Sequence, residues 1–323
     1  MPDAKPVQYR IVDRLERDSG DERARVIAGL VAESAHIEPK YFYDELGCAL
    51  YGAICRLPEY YPTRTEAALF REHRSDIADA IGKARQFVDL GAGDCCKAQG
   101  WLPFVAPARY IAVDIAAAEI ERALANMAPD FPEVEMIGVI ADFTRGLPLD
   151  GILDARPATF FYPGSSIGNF TPPEARSFLA RIRSQCTQRP GSALLIGVDG
   201  KKGKPELDAA YDDALGVTAA FNRNALLHLN QRFGFDFVLE AFVHRGFYNE
   251  REGRIEMHLE STRDQVVHLG TTERRFARGD RIHTENSYKY HAGEFEALLA
   301  EAGFASVRHW ESAGGGYYVF YAS

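Results

Sequence analysis

The sequence predicts an α/β protein centred on a doubly wound, largely parallel sheet, and three observations support that prediction. An apolar run, Val88-Asp89-Leu90, enters the glycine turn Gly91-Ala92-Gly93-Asp94, and a second run, Tyr110-Ile111-Ala112-Val113, ends in Asp114. Short apolar runs then alternate with helix-period segments, the pattern of parallel strands joined by right-handed crossovers. Near the chain end, two apolar runs are joined through Ser312-Ala313-Gly314-Gly315-Gly316, which reads as a closing antiparallel hairpin.

Taken in order, residues 21–36 place Val26, Ile27, Leu30, Val31 and Ala35 on one helical face. An aromatic, turn-rich stretch follows over 39–44, then a helical pattern through Ala49, Leu50, Ile54 and Leu57, and another over 65–82. Strands are expected at 86–90, 110–114, 134–139, 157–162 and 193–198, with helices at 117–127 and 172–187 between them. Residues 199–288 break the rhythm, with a helix over 205–231 and strands near 237–248 and 254–261. A helix at 292–302 and strands near 305–310 and 317–322 close the chain. We expect a main domain of 65–198 and 289–323, and a smaller, discontinuous α+β lobe of 1–64 and 199–288 that covers the substrate. The basic loop Lys201-Lys202-Gly203-Lys204 is expected to be solvated.

Composition narrows the function. The 323 residues are 46% hydrophobic and 26% charged, ordinary for a globular enzyme. A net charge of −9 disfavours a nucleic-acid partner, because phosphate binding needs a basic face. No apolar run approaches a membrane span, and Met1-Pro2-Asp3-Ala4-Lys5-Pro6 has no signal-peptide core. Cysteines stand at 48, 55, 95, 96 and 186; their odd number points to a reducing, cytoplasmic setting. Cys95-Cys96 lacks the spacing and companions of a metal set, so no metal is expected.

The glycine turn and Asp114 together describe a nucleoside site. Gly91 and Gly93 permit backbone angles closed to other residues and a close approach of ligand, while the Asp114 carboxylate can accept from a ribose diol. A glycine turn alone is compatible with a ligand-free bend. The third glycine of a dinucleotide fingerprint is missing from Gly93-Asp94-Cys95-Cys96-Lys97, which disfavours a nicotinamide-dependent oxidoreductase. Asp142-Phe143, after the third strand, suits an adenine ring, with the acid on the exocyclic amine and the phenyl stacked.

Longer segments carry a more specific signal. Phe42-Tyr43-Asp44-Glu45-Leu46-Gly47, Arg56-Leu57-Pro58-Glu59-Tyr60-Tyr61-Pro62-Thr63-Arg64 and Tyr162-Pro163-Gly164-Ser165-Ser166-Ile167-Gly168-Asn169 occur in order. They are followed by Ala210-Tyr211-Asp212-Asp213, the run from Gly216 to Asn224, Ile255-Glu256-Met257 and Thr284-Glu285-Asn286-Ser287. Together these resemble the histidine-specific Nα-methyltransferases of ergothioneine biosynthesis, from about residue 20 onward. The resemblance implies a class I, Rossmann-like methyltransferase fold with S-adenosylmethionine as cofactor. It implies methylation, up to trimethylation, of the α-amine of free histidine to hercynine; a monomer acting on a small molecule is expected.

Residue by residue, the resemblance places the imidazole on Tyr60, Glu285 and Ser287, and the α-carboxylate on Asn169 and Tyr211. It puts Tyr43 at the amine as the catalytic candidate and lines the cavity with Gly164, Phe221 and Met257. The cofactor would contact Gly91, Gly93, Lys97, Asp114, Asp142 and Phe143. The assignments make chemical sense. A carboxylate and a hydroxyl two residues apart on an extended segment share a side and can meet both ring nitrogens. The cofactor loop departs from the pattern, with Asp94-Cys95-Cys96 where small hydroxyl residues are expected. A related enzyme acting on another amino acid or amine, and a catalytically silent cofactor-binding protein, are the alternatives.

Overall fold

The computed structural model describes residues 9–15, 19–83 and 85–323. Strand β1 (Tyr9–Asp13) leads to helices α1 (Ser19–Val31), α2 (Glu45–Ile54), α3 (Tyr61–Glu72) and α4 (Arg74–Ile81). Next come β2 (Gln86–Leu90), α5 (Cys96–Gln99), α6 (Leu102–Val105), β3 (Arg109–Asp114), α7 (Ala117–Met127), β4 (Glu135–Ile140), β5 (Ala158–Tyr162), α8 (Pro172–Thr187) and β6 (Ala193–Asp199). An insertion follows, with α9 (Lys204–Tyr211), α10 (Val217–Phe233), β7 (Phe242–Asn249), β8 (Arg254–Ser261), β9 (Gln265–Leu269), β10 (Thr272–Phe276) and β11 (Arg281–Tyr288). Helix α11 (Ala292–Glu301) and strands β12 (Val307–Glu311) and β13 (Tyr317–Ala322) complete the chain.

The main sheet has eight strands in the order β1-β4-β3-β2-β5-β6-β13-β12. Its first six strands run parallel, and β13 runs antiparallel to both β6 and β12. This is the doubly wound sheet with a terminal antiparallel hairpin that the sequence predicts. Strands β2, β5 and β6 are buried at every position because both faces of the sheet are covered, so they are mostly apolar, and their polar residues Gln86, Asp89, Thr159 and Asp199 are buried with them. The strand order turns between β2 and β5, and a crevice at such a point is where open α/β sheets bind ligands.

The insertion builds a second, three-stranded antiparallel sheet, β11-β8-β7, and a hairpin of β9 and β10. Strand β7 alternates between buried and more exposed positions, so one of its faces meets the lobe's own core. That core includes Phe42, Tyr60, Tyr211, Phe221 and Met257.

Four expectations need correction. Tyr9–Asp13 pairs with β4 in the main sheet, although the sequence placed 1–64 in the lobe; most of its side chains are exposed, so no apolar run marks it. The helix expected at 65–82 is two helices that break at His73, and α3 already begins at Tyr61-Pro62, proline being favoured in a first turn. The helix expected at 205–231 is also two. Gly216 sits at φ +74, and the Asp213 carboxylate accepts from the N–H groups of Val217 and Thr218, starting α10 afresh. Lastly, Lys202 is not solvated, because its ammonium lies 2.5 Å from the buried Asp199 carboxylate.

Candidate active site

At the C-terminal ends of β2 and β3 the backbone turns through Gly91 at φ +70 and Gly93 at φ +51. The Gly93 N–H donates to Asp114 Oδ2 at 2.9 Å, and the Ala116 N–H donates to Oδ1 at 2.9 Å. Burial pushes the Asp114 carboxyl above its usual range, and these backbone donors work against that rise. Phe143 closes over the turn, so a Cβ on Gly91 would lie 3.6 Å from the phenyl edge. Asp142 accepts from the Thr144 N–H at 3.2 Å and lines a large cavity together with Ile115 and Ala141. This cradle, open backbone beside a fixed acid and an aromatic ring, fits the adenosine end of S-adenosylmethionine.

Lys97, on α5, faces a different wall. Its Nζ is 2.6 Å from Oε2 of the buried Glu66, whose Oε1 accepts from the Gly164 N–H at 2.7 Å and the Tyr317 hydroxyl at 2.6 Å. Glu66 therefore ties the cofactor side to the loop that follows β5.

A second cavity lies between that loop and the lobe, and every residue assigned to the substrate borders it. Tyr43 comes from the turn before α2, and Tyr60 from the segment before α3. The loop after β5 supplies Gly164 and Asn169, while α9 and α10 supply Tyr211 and Phe221. The small sheet contributes Met257 on β8 and Glu285 and Ser287 on β11. Tyr43 borders both cavities.

Local structure explains these placements. Asp44 caps α2 by accepting from the Gly47 N–H at 2.7 Å, and also accepts from Asn224 Nδ2 at 2.7 Å, which fixes the Tyr43 turn against α10. The Arg64 guanidinium holds the Tyr60 segment by donating to the Leu57 and Pro58 carbonyls at 2.7 and 2.5 Å. Gly168 lets the loop after β5 meet β11, since a Cβ there would stand 2.7 Å from the Tyr288 carbonyl oxygen. A register shift between His283 and Glu285, opposite Met257, turns Glu285 toward the cavity, as bulges beside sites commonly do.

The electrostatics of the cavity are uneven. Burial raises the Glu285 carboxyl to about 7, partly opposed by Lys289, and among the described residues no side chain donates to it. The Tyr43 phenol is pushed well above its usual value by burial, with Tyr51 and Glu285 adding to the effect, so it stays protonated. Rings of Tyr43, Tyr51 and Phe221 meet at centroid separations of 5.8–6.1 Å, and Tyr60 meets Tyr211 edge-on at 5.9 Å.

Sequence reasoning missed Tyr51, Thr218 and, behind the cavity, Lys289. Tyr51 and Thr218 lie inside helices among ordinary core residues and carry no local signal. Lys289 did carry one, continuing the alternation of Glu285 and Ser287 by two residues. Among the described residues, no group of His, Cys, Asp or Glu is arranged to hold a metal, and no helix is long and apolar enough to cross a membrane.

Comparison with known proteins identifies the family. Residues 22–323 match the family described as histidine-specific methyltransferase, SAM-dependent. A histidine N-alpha-methyltransferase of Mycolicibacterium smegmatis is 38% identical over 313 residues, covering 94% of this chain and 96% of its own. Its counterpart in Mycobacterium tuberculosis is 34% identical over 317 residues, covering 96% and 97%. A 4-dimethylallyltryptophan N-methyltransferase of Trichophyton verrucosum is 26% identical over 307 residues, covering 90% and 89%. Fold and site define a methyltransferase that uses S-adenosylmethionine as methyl donor. The chain belongs to the histidine-specific, S-adenosylmethionine-dependent methyltransferase family.

Proposed function

We propose that this enzyme methylates the α-amino group of free L-histidine, up to the trimethylated product hercynine. The observation that supports this reading is Glu285, a half-buried carboxylate that no side chain among the described residues donates to, lining one cavity with Ser287 and Tyr60. An imidazole supplies the missing N–H. A purely apolar ring would leave the carboxylate unpaired, at a cost of about 1–3 kcal/mol or more.

When bound, S-adenosylmethionine supplies an electrophilic methyl group and a neutral thioether leaving group, so no strong acid is required. The protein's task is positioning. Asn169 and Tyr211 hold the α-carboxylate at one end, and Glu285, Ser287 and Tyr60 hold the ring at the other, which leaves the amine at Tyr43, between the two cavities. Holding reactants in line at short range can account for about 7 kcal/mol or more of a barrier. The Tyr43 phenol, protonated throughout the neutral range, is a hydrogen-bond partner for the amine rather than a strong base. A free α-amine has a pKa of about 8, so a useful fraction is neutral without one. The faces of Tyr43, Tyr51 and Phe221 suit a quaternary ammonium and would stabilise it by roughly 0.5–2 kcal/mol. The working unit we propose is one chain, acting in a reducing cytoplasm where its five cysteines remain unpaired.

The test is to incubate the enzyme with S-adenosylmethionine and single amino acids in turn, reading products by mass spectrometry. Trimethylated histidine is the expected product. Methylation of another amino acid, with histidine untouched, would keep the fold and donor site and overturn the substrate.

A further inference from the structure

Behind the wall that carries Ser287 and Tyr211 lies a fully buried ion pair at the seam between the two sheets. Lys289, just beyond β11, places Nζ 2.8 Å from Asp199 Oδ2 at the end of β6, and both side chains are wholly inaccessible. The Asp199 carboxylate is also met by Lys202 at 2.5 Å and by the Tyr61 hydroxyl at 2.6 Å. Burial alone would raise its carboxyl, but the two ammonium groups outweigh that and hold it below the usual range. Lys289 therefore stays charged.

An ammonium has three donors and no acceptor. Those of Lys289 go to Asp199, to Tyr211 Oη at 3.1 Å and to Ser287 Oγ at 3.0 Å. The two hydroxyl oxygens are themselves 2.9 Å apart, so one of them donates to the other. Each hydroxyl has one proton and two lone pairs. With Lys289 filling a lone pair on each oxygen, the pair has a single proton left for a ligand, whichever way it points.

We propose that Lys289 is a positioning residue that sets the direction of hydrogen bonding in the cavity, so that histidine binds together with one additional proton shared between its imidazole and Glu285. The argument rests on the histidine reading above. If Tyr211 gives the pair's one free proton to the α-carboxylate, the Ser287 proton is committed to Tyr211. Ser287 then offers the ring only a lone pair and must accept the imidazole N–H. The second ring nitrogen faces Glu285, and a proton must sit between them, taken from solvent on binding. Tyr60, edge-on to Tyr211 at 5.9 Å, walls the ring site with its own ring and takes no part in this count. The charged and titratable groups bearing on the ring site are thus Glu285, Tyr51, Tyr60 and Tyr211 around it, and Lys289, Asp199, Lys202 and Tyr61 behind it. At pH 8 free imidazole is unprotonated, and Glu285, at about 7, is largely ionised, so the proton is absent before binding.

The experiment is isothermal titration of the S-adenosylhomocysteine-loaded enzyme with 3-(imidazol-4-yl)propionate at pH 8, in phosphate and in Tris. This probe lacks the amine, whose own proton would confuse the count, and the buffers differ in ionisation heat. We expect uptake of about one proton by the unaltered enzyme. Lys289→Met frees both hydroxyls to donate and should reduce uptake well below one proton. Ser287→Ala keeps the buried charge, lets Glu285 accept the ring N–H directly, and should reduce uptake in the same way. Lys289 also holds the Glu285 carboxyl down, so its loss alone leaves more Glu285 protonated before binding and lowers uptake; Ser287→Ala, which keeps that charge, is the variant that decides. Binding without uptake in the unaltered enzyme, or uptake preserved in Ser287→Ala, overturns the proposal and leaves the substrate reading standing. Failure to bind either histidine or the probe, with another amino acid methylated instead, overturns the substrate reading and the proposal with it.

Discussion

The proposed cofactor end of the main sheet and the proposed substrate cavity of the small lobe are built in opposite ways. The first works through backbone: two glycines at positive φ, an N–H on Asp114, and a ring over the turn, all local to the ends of three adjacent strands. The second works through side chains that converge from well-separated segments, from Tyr43 to Ser287, held by long-range ties such as Asn224 to Asp44. Backbone recognition suits a nucleoside shared by many enzymes. Convergent side chains suit the one substrate that a particular enzyme must select.

If the two regions are separable, damage to one should spare the other. Apart from that of Glu285→Ala, taken last, the largest effect expected is on donor affinity. Asp114→Ala removes the acceptor for the ribose and the partner of the Gly93 N–H, and should weaken S-adenosylmethionine binding roughly 10–100-fold by equilibrium titration. Its histidine KM, measured at saturating donor, should move by less than about threefold. A comparable rise in both would merge the two regions into one.

Next in size is a pH effect confined to the cavity. Burial lifts the Glu285 carboxyl from 4.5 to about 7, so folding favours its protonated form. That contribution is complete below about pH 4.5 and is lost as pH rises through 7. Glu285→Gln, which cannot ionise, should be more stable than the unaltered enzyme at pH 8 by roughly 1–3 kcal/mol, and no different at pH 4. Denaturant titrations at the two pH values read this directly.

A smaller effect is expected at the boundary. Tyr43→Phe removes one hydroxyl from the residue that borders both cavities, and should lower turnover roughly tenfold. The product should shift toward mono- and dimethylated histidine, with histidine affinity little changed. Equal loss of affinity and turnover would remove Tyr43 from the chemistry. The smallest expectation concerns the cofactor loop. Cys96 is exposed and unpaired, so Cys96→Ser should leave stability within about 0.5 kcal/mol and donor affinity unchanged.

The contrast also explains what could be read from the chain. Strand β2 and helices α7 and α8 coincide with their expected bounds because each is an uninterrupted run of one periodicity. Strand β1 escaped because pairing with β4, not its own composition, makes it a strand. The break between α9 and α10 was signalled by Asp213 and Gly216, a capping acceptor and a residue free to take positive φ, but the helical pattern on either side of them masked it. The glycine turn, Asp114 and Phe143 could be singled out from residues alone because each follows directly on a readable strand, whereas Lys97 turns instead to Glu66. The cavity was legible only through resemblance, because nothing in the chain says that Tyr60, Asn169 and Glu285 meet. The pairing of Lys289 with Asp199 was hidden because the two are far apart in the chain, and that of Lys202, three residues from Asp199, because a run of lysines reads as a solvated loop.

The measurement that tests this account most directly is the pair of constants for Glu285→Ala: the histidine KM and the S-adenosylmethionine dissociation constant, on the same preparation. The account predicts a histidine KM raised by roughly 10²–10⁴, since a site built to pair a ring N–H discriminates steeply, with donor affinity unchanged. An unaltered histidine KM would contradict it, and would remove the imidazole from the wall formed by Glu285 and Ser287.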